Sequence, residues 1–88
     1  MERYAWDHAT AWAICMAESA GNPAAINHRD QHNGCTGSAG LMQIACIHTG
    51  GAHELDPERN LAAAWEIYQR SGWTPWGAFT DKRYLQYM

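Results

Sequence analysis

Apolar positions fall at helical spacing in two stretches of the chain. The first starts after His8, where an uncharged run, Ala11-Trp12-Ala13-Ile14-Cys15-Met16-Ala17, leads into Glu18-Ser19. Ala11, Ile14, Cys15 and Glu18 follow the i, i+3, i+4, i+7 spacing, so they share one helix face. Asp7 is a suitable N-cap, and Gly21-Asn22-Pro23 stops the element. A first helix is therefore expected from about His8 to Ser19. The second stretch opens at Asp56-Pro57, cap and first helical residue, and runs to about Arg70. Its expected core face is Leu61, Ala64, Trp65 and Tyr68, and Gly72 ends it. Between them lies a polar segment, 24–39, with a strong turn signal at Asn33-Gly34. A short helix is expected from near Gly40 through Leu41, Met42, Ile44 and Ala45, its first amides free toward a cleft. His48-Thr49-Gly50-Gly51 reads as a linker, and residues 1–6 as a lead-in. Trp73 to Phe79 reads as an aromatic loop or short helix. Asp81 to Tyr87 is either a last turn packing back or a frayed tail.

Length and composition narrow this to one small domain over residues 1–88. Such a chain buries only roughly 60% of its unfolded surface. Formal net charge is -3 with no Lys/Arg cluster, which argues against nucleic acid as a partner. No apolar stretch approaches the ~20 residues of a membrane span. Met1-Glu2-Arg3-Tyr4 lacks the basic and apolar regions of a signal peptide. Five Trp and four Tyr are many for 88 residues. They can fill a small core, line a groove, or do both. Cys15 reads as a small buried hydrophobe. Cys35 and Cys46 are either free or bridged in an oxidising compartment. No cofactor is implied, and a monomer is expected.

The candidate chemistry centres on Glu18, which by position alone is either a functional carboxyl or an ordinary last-turn residue that reaches water. A carboxyl on an apolar face at a helix C-terminus is disfavoured as an anion by burial and by the helix dipole. Both influences are expected to raise its pKa, as a general acid requires. Among the other acids, Asp7 and Asp56 read as caps, and Glu58 and Glu66 as solvated helix positions. Asp30 alone lies in the polar segment beside a presumed cleft. It is either a turn residue or a group that positions water. His28, His32, Cys35, Cys46 and His48 allow a zinc site to be drawn, but their spacing matches no common zinc pattern, and no metal is expected.

Glu18-Ser19, Asn22-Pro23-x-Ala25 and Gly40-Leu41-Met42-Gln43 occur in an order that resembles the lysozyme-like lytic transglycosylases, of soluble-transglycosylase or goose-lysozyme type. The resemblance continues through Asp56-Pro57-x-x-Asn60, Ala63 and Tyr68 to Gly72-Trp73-x-Pro75-Trp76. It covers roughly 11–79, and its style is similar to actinobacterial or phage-encoded members. It implies a mainly α, small lysozyme-like domain with a minimal loop or β-hairpin subdomain. It implies cleavage of the β-1,4 bond between N-acetylmuramic acid and N-acetylglucosamine in peptidoglycan. Glu18 would protonate the glycosidic oxygen, then take the proton of the muramic acid C6 hydroxyl and close a 1,6-anhydro ring. With Asp30 positioning water, as in goose-type lysozymes, the product would be hydrolytic. Ser19, Met42, Gln43, Tyr68, Trp73 and Trp76 are the implied substrate contacts, with Gln43 able to donate and accept. One departure is plain. The family's late Ala-Tyr-Asn step, whose Tyr holds the catalytic carboxyl, has Pro75-Trp76-Gly77-Ala78-Phe79 in roughly its place here, and Phe79 has no hydroxyl. A glycan-binding domain without catalysis is the alternative from another class, and a zinc-stabilised interaction module a third. An enzyme of this kind, without a leader, is expected to reach the cell wall by phage delivery or within a larger secreted or virion protein.

Overall fold

The computed structural model describes residues 3–32 and 35–88, with 29–32 described by backbone alone. Helix α1 spans His8–Ser19. The Asp7 carboxylate caps it, accepting from the Thr10 amide at 3.0 Å and from the Thr10 hydroxyl. Ala20 ends it in a left-handed conformation, φ 55°, ahead of the expected stop at Gly21. Ala11, Ala13, Ile14 and Cys15 are buried. Burial, more than the opposing Ser19 hydroxyl, pushes the Cys15 thiol above its usual range, so it stays protonated and inert near neutral pH.

The polar segment forms a hairpin rather than an irregular loop. Strand β1 (Ile26–His32) pairs antiparallel with β2 (Cys35–Ala39), which pairs antiparallel with β3 (Ile44–Ala45). The register slips between Asn27 and Gln31. A disulfide joins Cys35 to Cys46, their Cα atoms 6.2 Å apart. It ties the start of β2 to a 3-10 helix, Cys46–Thr49.

The helix expected from Gly40 does not form. Gly40 has φ 80° and Gln43 φ 48°, and two left-handed residues cannot sit in a right-handed helix. Residues 40–43 instead make a turn, closed by the Gln43 amide donating to the Gly40 carbonyl at 3.1 Å. The amides were not left free either. Met42 N–H donates to Asn60 Oδ1 at 2.9 Å. Asn60 Nδ2 donates to the carbonyls of Ala39 at 2.7 Å and Glu54 at 2.8 Å. A Cβ at Gly40 would overlap the Asn60 amide, so this position needs glycine for space as well as for φ.

Asn60 comes from helix α2, Pro57–Ser71, capped as expected by the Asp56 carboxylate, which accepts from the Arg59 amide at 3.0 Å. The buried face is Asn60, Ala64 and Ile67. The expected face is thus rotated: Leu61, Trp65 and Tyr68 are half-buried on its flank. The reason is an aromatic shell. Trp6, from the supposed lead-in, is a core residue whose ring lies 5.3 Å from Trp73, 5.7 Å from Trp65 and 5.8 Å from Tyr68. Helix α3 is Gly77–Thr80, and a last 3-10 helix spans Arg83–Tyr87. That tail packs along α1 and α3 instead of fraying, with Phe79 stacked on Tyr84 at 5.0 Å. The result is a mainly α domain with a small antiparallel sheet. No described helix is long and apolar enough to cross a membrane.

Candidate functional site

A cleft of about 350 Å³ opens between the helices and the sheet. Glu18 contributes one wall from the last turn of α1. Asn27 and Ser38 come from the hairpin, and Gln43, Ile44 and Ala45 from the turn and β3. His48, Ile67, Pro75-Trp76-Gly77 and Arg83 complete it. Glu18 is half-buried while Ala11, Ile14 and Cys15 on the same face are fully buried. The helix face therefore carries an apolar anchor and ends in a carboxyl at the cleft. Glu18 Oε2 accepts from the Ala78 amide at 3.4 Å. Its charge also helps hold the Arg83 guanidinium above its ordinary range, after the larger effect of the Asp81 hydrogen bond. The carboxyl thus stands between the negative end of α1 and two groups that favour an anion.

The family comparison completes this geometry. Residues 4–78 match the family described as a lysozyme-like domain. This chain belongs to the lysozyme-like domain family. Membership points to peptidoglycan-related glycan cleavage or binding. No curated protein and no solved structure matches the chain.

Within this lysozyme-like domain the implied substrate contacts divide. Gln43 and Trp76 line the cleft. The Gln43 side-chain amide donates to the carbonyls of Ala25 at 3.0 Å and Gly40 at 2.9 Å. Both donors are spent in holding the left-handed turn, so Gln43 offers a ligand only its acceptor oxygen. Trp76 is buried, and its indole N–H donates to the Met42 carbonyl at 2.8 Å. Only part of its surface is left for a sugar ring.

The other four lie outside the described cleft lining. Ser19 is buried, and its hydroxyl reaches the Leu41 carbonyl at 2.8 Å and the Cys15 carbonyl at 3.1 Å. It pins the Gly40 turn to the end of α1 and does not face the cleft. Met42 is 0% exposed and belongs to the core. Tyr68 and Trp73 pack against each other, ring centres 4.4 Å apart, in the aromatic shell, and neither lines the cleft. The side chain of Asp30 lies outside the described residues; its backbone is in β1.

The zinc set does not hold together. Cys35 and Cys46 are consumed by the disulfide, so neither can be a thiolate ligand. Among the described residues no three His, Cys, Asp or Glu side chains are grouped to hold a metal.

Sequence reasoning missed Asn27, Ser38, His48 and Arg83. Three of them sit on the sheet or the 3-10 helix that follows it, and their convergence depends on the hairpin. Arg83 had one local signal, its pairing with Asp81 two residues earlier.

Proposed function

We propose that this domain cleaves the β-1,4 bond between N-acetylmuramic acid and N-acetylglucosamine, with Glu18 as the general acid. The observation that carries this reading is the position of Glu18. Among the described residues lining the cleft it is the one carboxyl, on a helix end anchored by buried Ala11, Ile14 and Cys15. One carboxyl is enough for transglycosylation. The Glu18 proton goes to the glycosidic oxygen as the C1–O bond breaks. The C6 hydroxyl of the muramic acid then attacks C1 and returns its proton to Glu18. No water is consumed, and a 1,6-anhydro product leaves. Hydrolysis would need a water-positioning group, for which Asp30 is the candidate. Ala78 N–H takes the place of the missing tyrosine hydroxyl in steadying the carboxylate.

The alternative is glycan binding without cleavage. Phe79 favours it: its ring stacks on Tyr84 and brings no hydroxyl to Glu18, and the Ala78 contact is long at 3.4 Å. Mass spectrometry of fragments released from purified peptidoglycan decides between them. Transglycosylation predicts fragments one water lighter than hydrolysis products. Glu18→Gln should lower their release by at least about a hundredfold, the usual scale of general acid catalysis. Free reducing ends would indicate a muramidase. No fragments from folded wild type, with retained glycan binding, would favour the binding domain. This function also entails access to the wall, which we assign to phage delivery or to a larger secreted or virion protein, in an actinobacterial or phage setting.

A further inference from the structure

We propose that Arg83 is the cleft's recognition residue for a carboxylate on the glycan substrate. The proposal rests on the peptidoglycan reading above. Arg83 lies beyond residues 4–78, the span shared with the family, in the 3-10 helix that packs back on α1. Its side chain is 50% exposed, and it lines the cleft together with Glu18.

The guanidinium is fixed in place before any ligand arrives. Asp81 Oδ1 accepts from the Arg83 backbone amide at 3.0 Å, and Asp81 Oδ2 accepts from Arg83 Nε at 2.6 Å. This grip uses the Nε side. Among the described residues no hydrogen bond occupies the two Nη groups. Nη2 lies 3.7 Å from where a Cβ on Gly77 would stand, so it faces the same cleft segment as Trp76 and Gly77. A paired Nη edge is the geometry that takes a carboxylate through two parallel N–H donors.

Charge gives this edge a purpose. The chain has formal net charge -3 and no basic cluster, yet its proposed substrate is acidic. The charged or titratable residues lining the described cleft are Glu18, His48 and Arg83. Only Arg83 is positive at every working pH. A substrate carboxylate entering this cleft meets in Arg83 a cation on the same wall as Trp76 and Gly77. Two groups on the substrate carry the required chemistry: the lactyl carboxylate of peptide-free muramic acid, and the carboxylates of the stem peptide.

The test measures affinity without turnover, in the Glu18→Gln protein, by calorimetry at low salt. Three ligands are compared: a peptide-free muramyl tetrasaccharide, the same glycan with stem peptides, and neutral chitotetraose. We expect one or both acidic ligands to bind about tenfold more tightly than chitotetraose, the scale of one charged hydrogen-bonding contact. Which acidic ligand shows the preference identifies the carboxylate. Adding Arg83→Gln should collapse the ratio toward one, and Arg83→Lys should restore part of it. High salt should weaken the preference in the same direction. An acidic preference that survives Arg83→Gln overturns the proposal, as does an equal loss for chitotetraose, which marks a structural role. Binding of all three ligands without preference removes Arg83 alone. If none of the three binds, the peptidoglycan reading falls, and this proposal with it.

Discussion

Asn60 and Glu18 are both polar side chains that a helix sends across to the backbone of another element, and they end in opposite situations. Asn60 is 0% exposed, and its amide engages Met42, Ala39 and Glu54 at 2.9, 2.7 and 2.8 Å, respectively. Glu18 is half-buried at a cleft, and its contact with the Ala78 amide is 3.4 Å. A buried polar group that is fully satisfied becomes scaffold, because every alternative leaves a partner unpaired. A half-exposed polar group at the wall of a cleft keeps a face toward a ligand. The family motif therefore contains two kinds of polar residue, and residue type does not tell them apart.

The sharpest way to break this contrast is to exchange stability for activity at the two sites. Asn60→Ala orphans the Met42 amide and two carbonyls and opens a cavity. It should cost about 3–5 kcal/mol, a large share of the ~5–15 kcal/mol that holds a domain together. Urea unfolding should show the midpoint fall steeply. Glu18→Gln should leave that midpoint nearly unmoved while abolishing product. If Glu18→Gln unfolds the domain and Asn60→Ala does not, the assignment of scaffold and site is reversed.

The disulfide is the next largest effect. Cys35 and Cys46 are 11 residues apart in sequence, and a loop of that size contributes about 3 kcal/mol by chain entropy. The loop contains the whole 40–43 turn. Reduction should lower the melting temperature. In the still-folded fraction, it should weaken glycan affinity through the Gln43 wall more than it disturbs the aromatic shell, read by near-ultraviolet circular dichroism.

The smallest effect lies at the far end of α1. The Thr10 hydroxyl, then the Thr10 amide, hold the Asp7 carboxyl below its ordinary value of 3.8. A depressed folded pKa gives stability that is complete above the unfolded value and is lost as pH falls through the folded one. Asp7→Asn keeps an acceptor at the cap but cannot titrate. The wild type should therefore lose a small advantage over Asp7→Asn as pH drops below 3.8. Thermal melts of both proteins between pH 5 and 2.5 check the sign, and an advantage that grows on acidification would contradict it.

Much of the helical frame was legible in the sequence because its causes are local. Asp7, Asp56-Pro57 and Gly72 act within a turn of their own positions, and α1 and α2 begin where those residues put them. The Gly40 segment was misread because its apolar residues look helical. Its conformation is set by Asn60, 18 residues beyond Met42. Hydrophobic periodicity also placed the α2 face wrongly, since it gives no weight to a buried asparagine and cannot see Trp6 covering the flank. Met42, Ser19, Tyr68 and Trp73 were credited to the cleft for a similar reason. An aromatic or polar residue in a motif carries no mark of which way it points.

By itself the sequence determined the family, the two long helices, their caps, and Glu18 at the end of an apolar face. These follow from spacing, from short-range hydrogen bonds, and from an ordered set of motifs. Tertiary structure alone decided which motif residues became core and which reached the cleft. It folded the tail back so that Arg83 stands beside Glu18, and it joined Cys35 to Cys46 across the turn. Those outcomes depend on contacts between residues far apart in the chain, whose energies exist only once the elements have packed.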